Sequence, residues 1–201
     1  TLYNTYSFFT LYANIDNFCY AEEDITFENR PEIDRWILSE LNTLIQKTDK
    51  FYEEYEATRA AREIQNFVTE NLSNWFVRLS RRRFWKGDYG TDKISAYQTL
   101  YTCMLTVAKL GAPIAPFFMD NLYKDLINTT GTETFESIHL ATYPTADTSK
   151  IDQDLERKMQ KAQQICSMVL SLRKKEFIKV RQPLQRIMIP VLDKQDREDI
   201  L

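Results

Sequence analysis

Apolar residues recur along this chain at intervals of three and four, in blocks separated by glycine, proline and short polar runs. The first block, Leu2, Tyr6, Phe9 and Ala13, predicts a short helix that Asn14 and Asp16 break. A second stripe, Ile33, Ile37, Leu41, Leu44, Thr48 and Phe51, predicts a long helix over about 31–54. Asn29 is its expected N-cap, Pro31 its first turn, and Glu32 and Asp34 suit its positive end. A third stripe opens near Thr58 and runs through Ala61, Ile64, Phe67 or Val68, Leu72, Trp75 or Phe76, and Leu79. Asn71 and Ser73 mark a place where this helix bends, and Gly87 and Gly90 end it. Asp92 is the expected cap of the next helix, whose inward positions are Ile94, Tyr97, Leu100 or Tyr101, Met104 or Leu105, and Ala108, until Gly111 and Pro113. Pro116 opens another, with Phe117, Leu122, Leu126 and Ile127 inward, fading at 128–131. A loop carrying SIHLATYP then leads to a last helix over about 149–179, with Ile151, Leu155, Met159, Ala162, Ile165 or Cys166, Val169 and Leu172 in register. Pro183 closes it, and 187–191 reads as a short strand with no partner in the sequence.

Short connections make neighbouring helices antiparallel, so the expected fold class is all-α: an up-and-down bundle over 31–130, with a C-terminal long helix and the short strand. Residues 1–30 form a linker helix and loop, and 131–201 a loop, a long helix and the start of a further subdomain. The chain has only four glycines and six prolines in 201 residues, which favours helix over sheet. Its 43% hydrophobic content supplies a core for one domain, with or without a small appendage. No self-similarity points to a helical repeat array. The orphan strand, and an end reached just as an acidic segment begins, suggest a piece of a longer chain.

Several chemistries find no residues here. Cys19, Cys103 and Cys166 lie far apart and His139 is the single histidine, so neither a zinc cluster nor a disulfide framework is assembled, and the thiols read as reduced, in a cytoplasmic protein. No apolar run reaches membrane-spanning length and no signal peptide opens the chain. The scattered glycines form no phosphate-cradling loop. No spacing pairs His139 with Cys103 or a serine as a nucleophile and its base. Glu22 with Glu23 and Glu53 with Glu54 are sequence neighbours that point apart on a helix, as solvated carboxylates do.

Charge changes the picture locally. Lys and Arg total 26 against 29 Asp and Glu, a net of −3, yet NLSNWFVRLSRRRFWK at 71–86 holds Arg78, Arg81, Arg82, Arg83 and Lys86 among Trp75, Phe76, Phe84 and Trp85. Guanidinium groups pair with phosphate oxygens and stack on bases, and an exposed indole offers a surface to an unstacked base. A second reading puts Trp75 and Phe76 in the core and pairs the arginines with Glu53, Glu54 and Glu56. A third makes the helix a hot spot for an acidic protein partner.

LSNWFVRLSRRRFW at 72–85 resembles the signature helix of isoleucyl-tRNA synthetases, a family of class I aminoacyl-tRNA synthetases. DRWILSELNTLI (34–45), AYQTLY (96–101), LGAPIAPFFMDNLY (110–123), SIHLATYP (137–144) and KVRQPL (179–184) resemble successive blocks of that family in its order, and NTYSFFTLYAN (4–14) resembles its linker from catalytic core to helical domain. The resemblance implies a helical anticodon-binding domain that contacts an isoleucine tRNA through Arg78, Arg81, Arg82, Trp85, Lys86 and Arg181. Trp36, Phe67, Trp75 and Leu79 fall on inward stripes as packing residues, while Arg83 and Phe84 stay unassigned. Lys174 and Lys175 read as a solvated charge run. For the parent enzyme the resemblance implies ATP-dependent attachment of isoleucine to tRNA, with ATP and magnesium as cofactors. The family's HIGH and KMSKS motifs and its editing insertion have no counterpart in this sequence, so no catalytic residue is assigned and no cofactor is expected on this stretch.

Overall fold

The computed structural model describes residues 1–191 and divides the chain into two compact units, Thr1–Ile151 and Asp152–Leu201. The first unit contains α1 (Leu2–Asp16), α2 (Glu32–Glu53), α3 (Ala57–Asn66), a π-helical segment (Phe67–Val77), α4 (Arg78–Trp85), α5 (Thr91–Gly111) and α6 (Pro116–Thr130). The second contains α7 (Gln153–Lys175). The expected all-α bundle is what forms.

Contacts between helix ends fix the directions. Asp34 at the start of α2 meets Arg83 at the end of α4, so these two run antiparallel. Ser95 at the start of α5 donates to Asp34, and Tyr52 near the end of α2 donates to the Leu110 carbonyl at the end of α5, so α2 and α5 run parallel. The α6 helix turns back along α5: a methyl group added at Gly111 would lie 2.6 Å from Met119 Cε, so the flexible end of Met119 would have to move aside for it. Gly131, at φ 63°, ends α6 in the left-handed conformation.

Because α2, α4, α6 and α1 surround it, α5 is buried nearly all round. Its sequence stripe foretold Tyr97, Leu100, Tyr101, Met104 and Ala108, all buried, but Lys93, Ser95, Gln98 and Thr99 are buried as well. Each of these polar groups has a partner, as burial demands. Lys93 Nζ lies 2.9 Å from Asp16, Gln98 accepts from the Ile25 N–H, and Thr99 accepts from Arg30. Arg30 also donates to the Ile25 carbonyl, pinning the 17–31 linker to α5. Phe9, Phe18 and Phe84 pack on the Tyr97 ring at 6.0, 4.8 and 5.0 Å, which seats α1 on the bundle. Burial and a hydrogen bond to Asp16 push the Tyr97 phenol far above its ordinary pKa, keeping it a donor.

Several expectations are corrected. The N-cap of α2 is Pro31 rather than Asn29, which sits in a 3-10 turn, and α5 is capped by Gly90 without a side-chain bond, so Asp92 is free to face Arg83. The helix predicted from 149 starts at Gln153, where Asp152 accepts from the Leu155 N–H, and it ends at Lys175. Phe117 is 90% exposed, because the inward face of α6 is Met119, Leu122, Tyr123, Leu126 and Ile127. No strand forms among the described residues: 187–191 has no neighbour to complete a ladder.

The largest correction concerns the third predicted helix. It is continuous through α3, the π segment and α4, and among its buried positions Val68, Leu72, Phe76, Ser80 and Phe84 fall four apart, with Phe67 and Val77 flanking that row. On a uniform α-helix each such step overshoots a full turn by about 40°, so the stripe would wind off the core. The wider i→i+5 turns of the π segment absorb that overshoot. In consequence Leu79, which a 3.6-residue period places inward, is 54% exposed, and Ser80 and Phe84 take the core side.

Arg83 grips the Asp34 carboxylate with both terminal nitrogens, at 2.5 and 2.8 Å, and donates to the Asp92 carbonyl at 2.7 Å. Its Nε lies 3.0 Å from the Asp92 carboxylate, an ion pair without hydrogen-bond alignment. Since the Asp34 side chain is 0% exposed, Arg83→Ala strands a buried charge and is expected to lower stability by about 3–5 kcal/mol, read from the urea midpoint. Adding Asp34→Asn to the Arg83→Ala chain removes that charge and recovers part of the loss.

A second prediction concerns pH. Asp120 on α6 ties down the following loop, pairing with Lys124 and accepting from Ser137 and the Ile138 N–H, and these contacts hold its pKa down at about 2. With a lowered folded pKa, its stabilisation is present above the unfolded value of about 3.9 and is lost as pH falls toward about 2. The stability difference between the chain and Asp120→Asn should therefore be constant above about pH 5 and shrink below about pH 4, followed by denaturant melts.

Candidate nucleic-acid interface

On α4 the buried side is Ser80 and Phe84, with Phe84 1% exposed against Tyr97 and Phe8. At about 100° per residue, Arg78, Arg81, Arg82 and Trp85 then share an arc of about 100° on the opposite, solvent side. All four are exposed, Trp85 at 57%, and Lys86 follows at the C-cap. Cations in the last turn are favoured there by the partial negative charge of the unsatisfied carbonyls.

Among the described residues Arg78, Arg81, Arg82 and Lys86 form no ion pair. Pairing with Glu53, Glu54 and Glu56 is ruled out by direction: α4 ends beside the start of α2, and those carboxylates lie beyond the other end, about 30 Å away along a helix of this length. Glu54 pairs with Lys50 instead. Of the unassigned residues, Arg83 is a structural clamp and Phe84 is core. Trp36 and Phe67 are buried, as expected, whereas Trp75 is half-buried.

Arg81 stands over the Phe8 ring of α1, guanidinium carbon to centroid 5.9 Å, at the outer reach of a cation–π contact. Between α1 and this helix lies a cleft of about 400 Å³ lined by Asn4, Phe8, Asn74, Val77, Arg78 and Arg81. No sequence period brings 4–8 to 74–81, so this juxtaposition was not legible beforehand. Arg181 belongs to the second unit, in a loop held locally by Arg173, whose guanidinium donates to the Lys179 and Gln182 carbonyls at 2.9 Å each. Among the described residues no group of three or more His, Cys, Asp or Glu converges as metal ligands, and no helix is long and apolar enough to cross a membrane.

The class of protein is an all-α helical bundle, here with exposed guanidiniums and an exposed indole on one face of α4. Residues 34–189 match the family described as the anticodon-binding domain of tRNA ligase, and the chain belongs to that family. It is 60% identical over 200 residues to an isoleucine–tRNA ligase of Bacteroides fragilis, covering all of this chain and 18% of that protein. It is 62% identical to the isoleucine–tRNA ligase of Porphyromonas gingivalis, covering 17% of it, and 45% identical to that of Dehalococcoides mccartyi, covering 20% of it. The chain thus spans about a fifth of the length of these relatives.

The exposure of Trp85 separates its surface role from packing. Trp85→Ala should leave the thermal midpoint nearly unchanged, within about 0.5 kcal/mol of stability, whereas Phe84→Ala next to it should cost about 3–5 kcal/mol. Circular-dichroism melts of the two variants test the orientation of α4.

Proposed function

We propose that this chain is the anticodon-binding region of an isoleucine–tRNA ligase and that it binds the anticodon stem-loop of an isoleucine tRNA. The observation that carries the reading is the common face of Arg78, Arg81, Arg82 and Trp85, unpaired and held rigidly by Arg83. Arg78, Arg82 and Lys86 neutralise backbone phosphates and set the register of the RNA. Trp85 and Arg81 offer planes on which a splayed loop base stacks. Arg181 adds a phosphate contact from the second unit. On this reading residues 1–30 lead in from the catalytic core, 31–130 form the binding bundle, and 131–201 open a further subdomain.

The parent enzyme attaches isoleucine to its tRNA with ATP and magnesium in the cytoplasm. The catalytic motifs lie outside this sequence, so the chain alone binds RNA without forming aminoacyl-adenylate.

Fluorescence anisotropy with an isoleucine tRNA transcript, and with one whose anticodon is replaced, tests this over a salt series. The expected result is tighter binding to the native anticodon and an affinity that falls steeply with salt. Arg78→Ala should reduce the salt slope by about 1, and Trp85→Ala should weaken binding by about 1–3 kcal/mol. Equal affinity for both transcripts would reduce the face to a phosphate clamp, and displacement by an acidic polypeptide as readily as by tRNA would overturn the reading in favour of a protein partner.

A further inference from the structure

We propose that the stretch of polypeptide immediately preceding Thr1 continues α1 as a helix and packs on Phe117 and Phe118 at the start of α6. The proposal rests on the ligase reading above, in which α1 leads in from the catalytic core. It is carried by an exposed apolar face and by the direction from which α1 arrives. Phe117 is 90% exposed, and Phe118 and Ile114 beside it 43% each. Large apolar side chains gathered in one place mark where another surface meets the protein.

Asp16 at the end of α1 meets Lys93 and Tyr97 at the start of α5, so α1 runs antiparallel to α5 and parallel to α6. Tyr6 donates to Asp125 of α6 at 3.2 Å, which sets the register of the two parallel helices. Phe117 lies about two turns before Asp125, and two turns before Tyr6 the path of α1 has passed Thr1. At about 100° per residue, Asn121 and Asp125 mark the side of α6 that faces α1, and Phe117 and Phe118 fall on either side of that line. An extension of α1 therefore runs between the two rings. The first turn of α1 also lacks the signals that start a helix, for Thr1 makes no side-chain cap bond and no acidic residue follows it. Charge argues against RNA as the occupant, because Asp120 and Asp125 flank the face and Lys124 is held by Asp120 at 2.7 Å. An apolar helix face meets no such repulsion and takes both phenylalanines out of water.

The test compares the full-length ligase that contains this chain with the chain itself. Hydroxyl-radical footprinting reads the reactivity of Phe117 and Phe118 in each, and a short photo-cross-linker attached to Phe117→Cys in the full-length ligase identifies its neighbour by mass spectrometry. The expected result is a loss of most of the reactivity of both rings in the full-length ligase, with cross-links to the peptide that immediately precedes Thr1. Phe117→Asp should lower the thermal midpoint of the full-length ligase and leave that of the chain unchanged. Rings as reactive in the full-length ligase as in the chain overturn the proposal, and so do cross-links to a second copy or to any other part of the ligase. A full-length protein that attaches no isoleucine to tRNA overturns the ligase reading instead, while protected rings cross-linked to the same peptide leave the contact standing.

Discussion

The contact between Arg83 and Asp34 is the constraint on which the rest of the structure depends. Asp34 is a carboxylate with no water around it, in the first turn of α2, and a buried charge is tolerated only when paired and fully hydrogen-bonded. Arg83 supplies two of its bonds and Ser95 a third, so α2, α4 and α5 meet at one ionic point. Such a pair adds little net attraction over a hydrophobic contact, but it penalises any other register severely, because each alternative leaves a naked charge in the core. With the end of α4 fixed in rotation and height, the neighbouring arginines have one direction left to face.

That direction also depends on the π segment. Five buried positions spaced four apart cannot all face one core on uniform α-geometry, and the wider turns of Phe67–Val77 reconcile the spacing with the packing. The adjustment costs some hydrogen-bond quality, and what it secures is an outer face made of Arg78, Arg81, Arg82 and Trp85 in place of one interrupted by Phe84. The fold spends a local irregularity in the middle of a helix to set the phase of its last two turns.

The balance of charge along the chain follows the same logic. A net charge of −3 leaves no long-range positive field, so attraction to an anionic partner has to come from a local patch. Four cations on α4 and at its cap stay uncompensated among the described residues, while Glu53 and Glu54 lie at the far end of α2 and Asp34 at its near end is taken by Arg83. Antiparallel topology therefore does electrostatic work. It keeps the basic end of α4 away from Glu53 and Glu54, and it leaves those guanidiniums without a counter-charge among the described residues.

Helix existence, most helix boundaries and the bundle class were legible in the sequence, because amphipathic periodicity and glycine or proline breaks are local and the hydrophobic effect acts on them wherever the chain goes. The basic aromatic segment was legible for the same reason: its composition is unusual whatever its surroundings. Tertiary structure alone decided the rest. Arg83 and its outward neighbours are chemically identical in sequence, and only the proximity of Asp34 and Asp92 turned one into a clamp. Leu79 left its expected inward side, and the unassigned Phe84 went into the core, because a π segment shifted the phase, which no count by 3.6 reveals. The cleft joining Asn4 and Phe8 to Asn74 and Arg81 spans some seventy residues of chain, and 187–191 forms no strand among the described residues. Sequence periodicity reports how each segment divides water from core, whereas the pairing of particular charges and the meeting of distant segments are fixed by which surfaces come into contact when the helices pack.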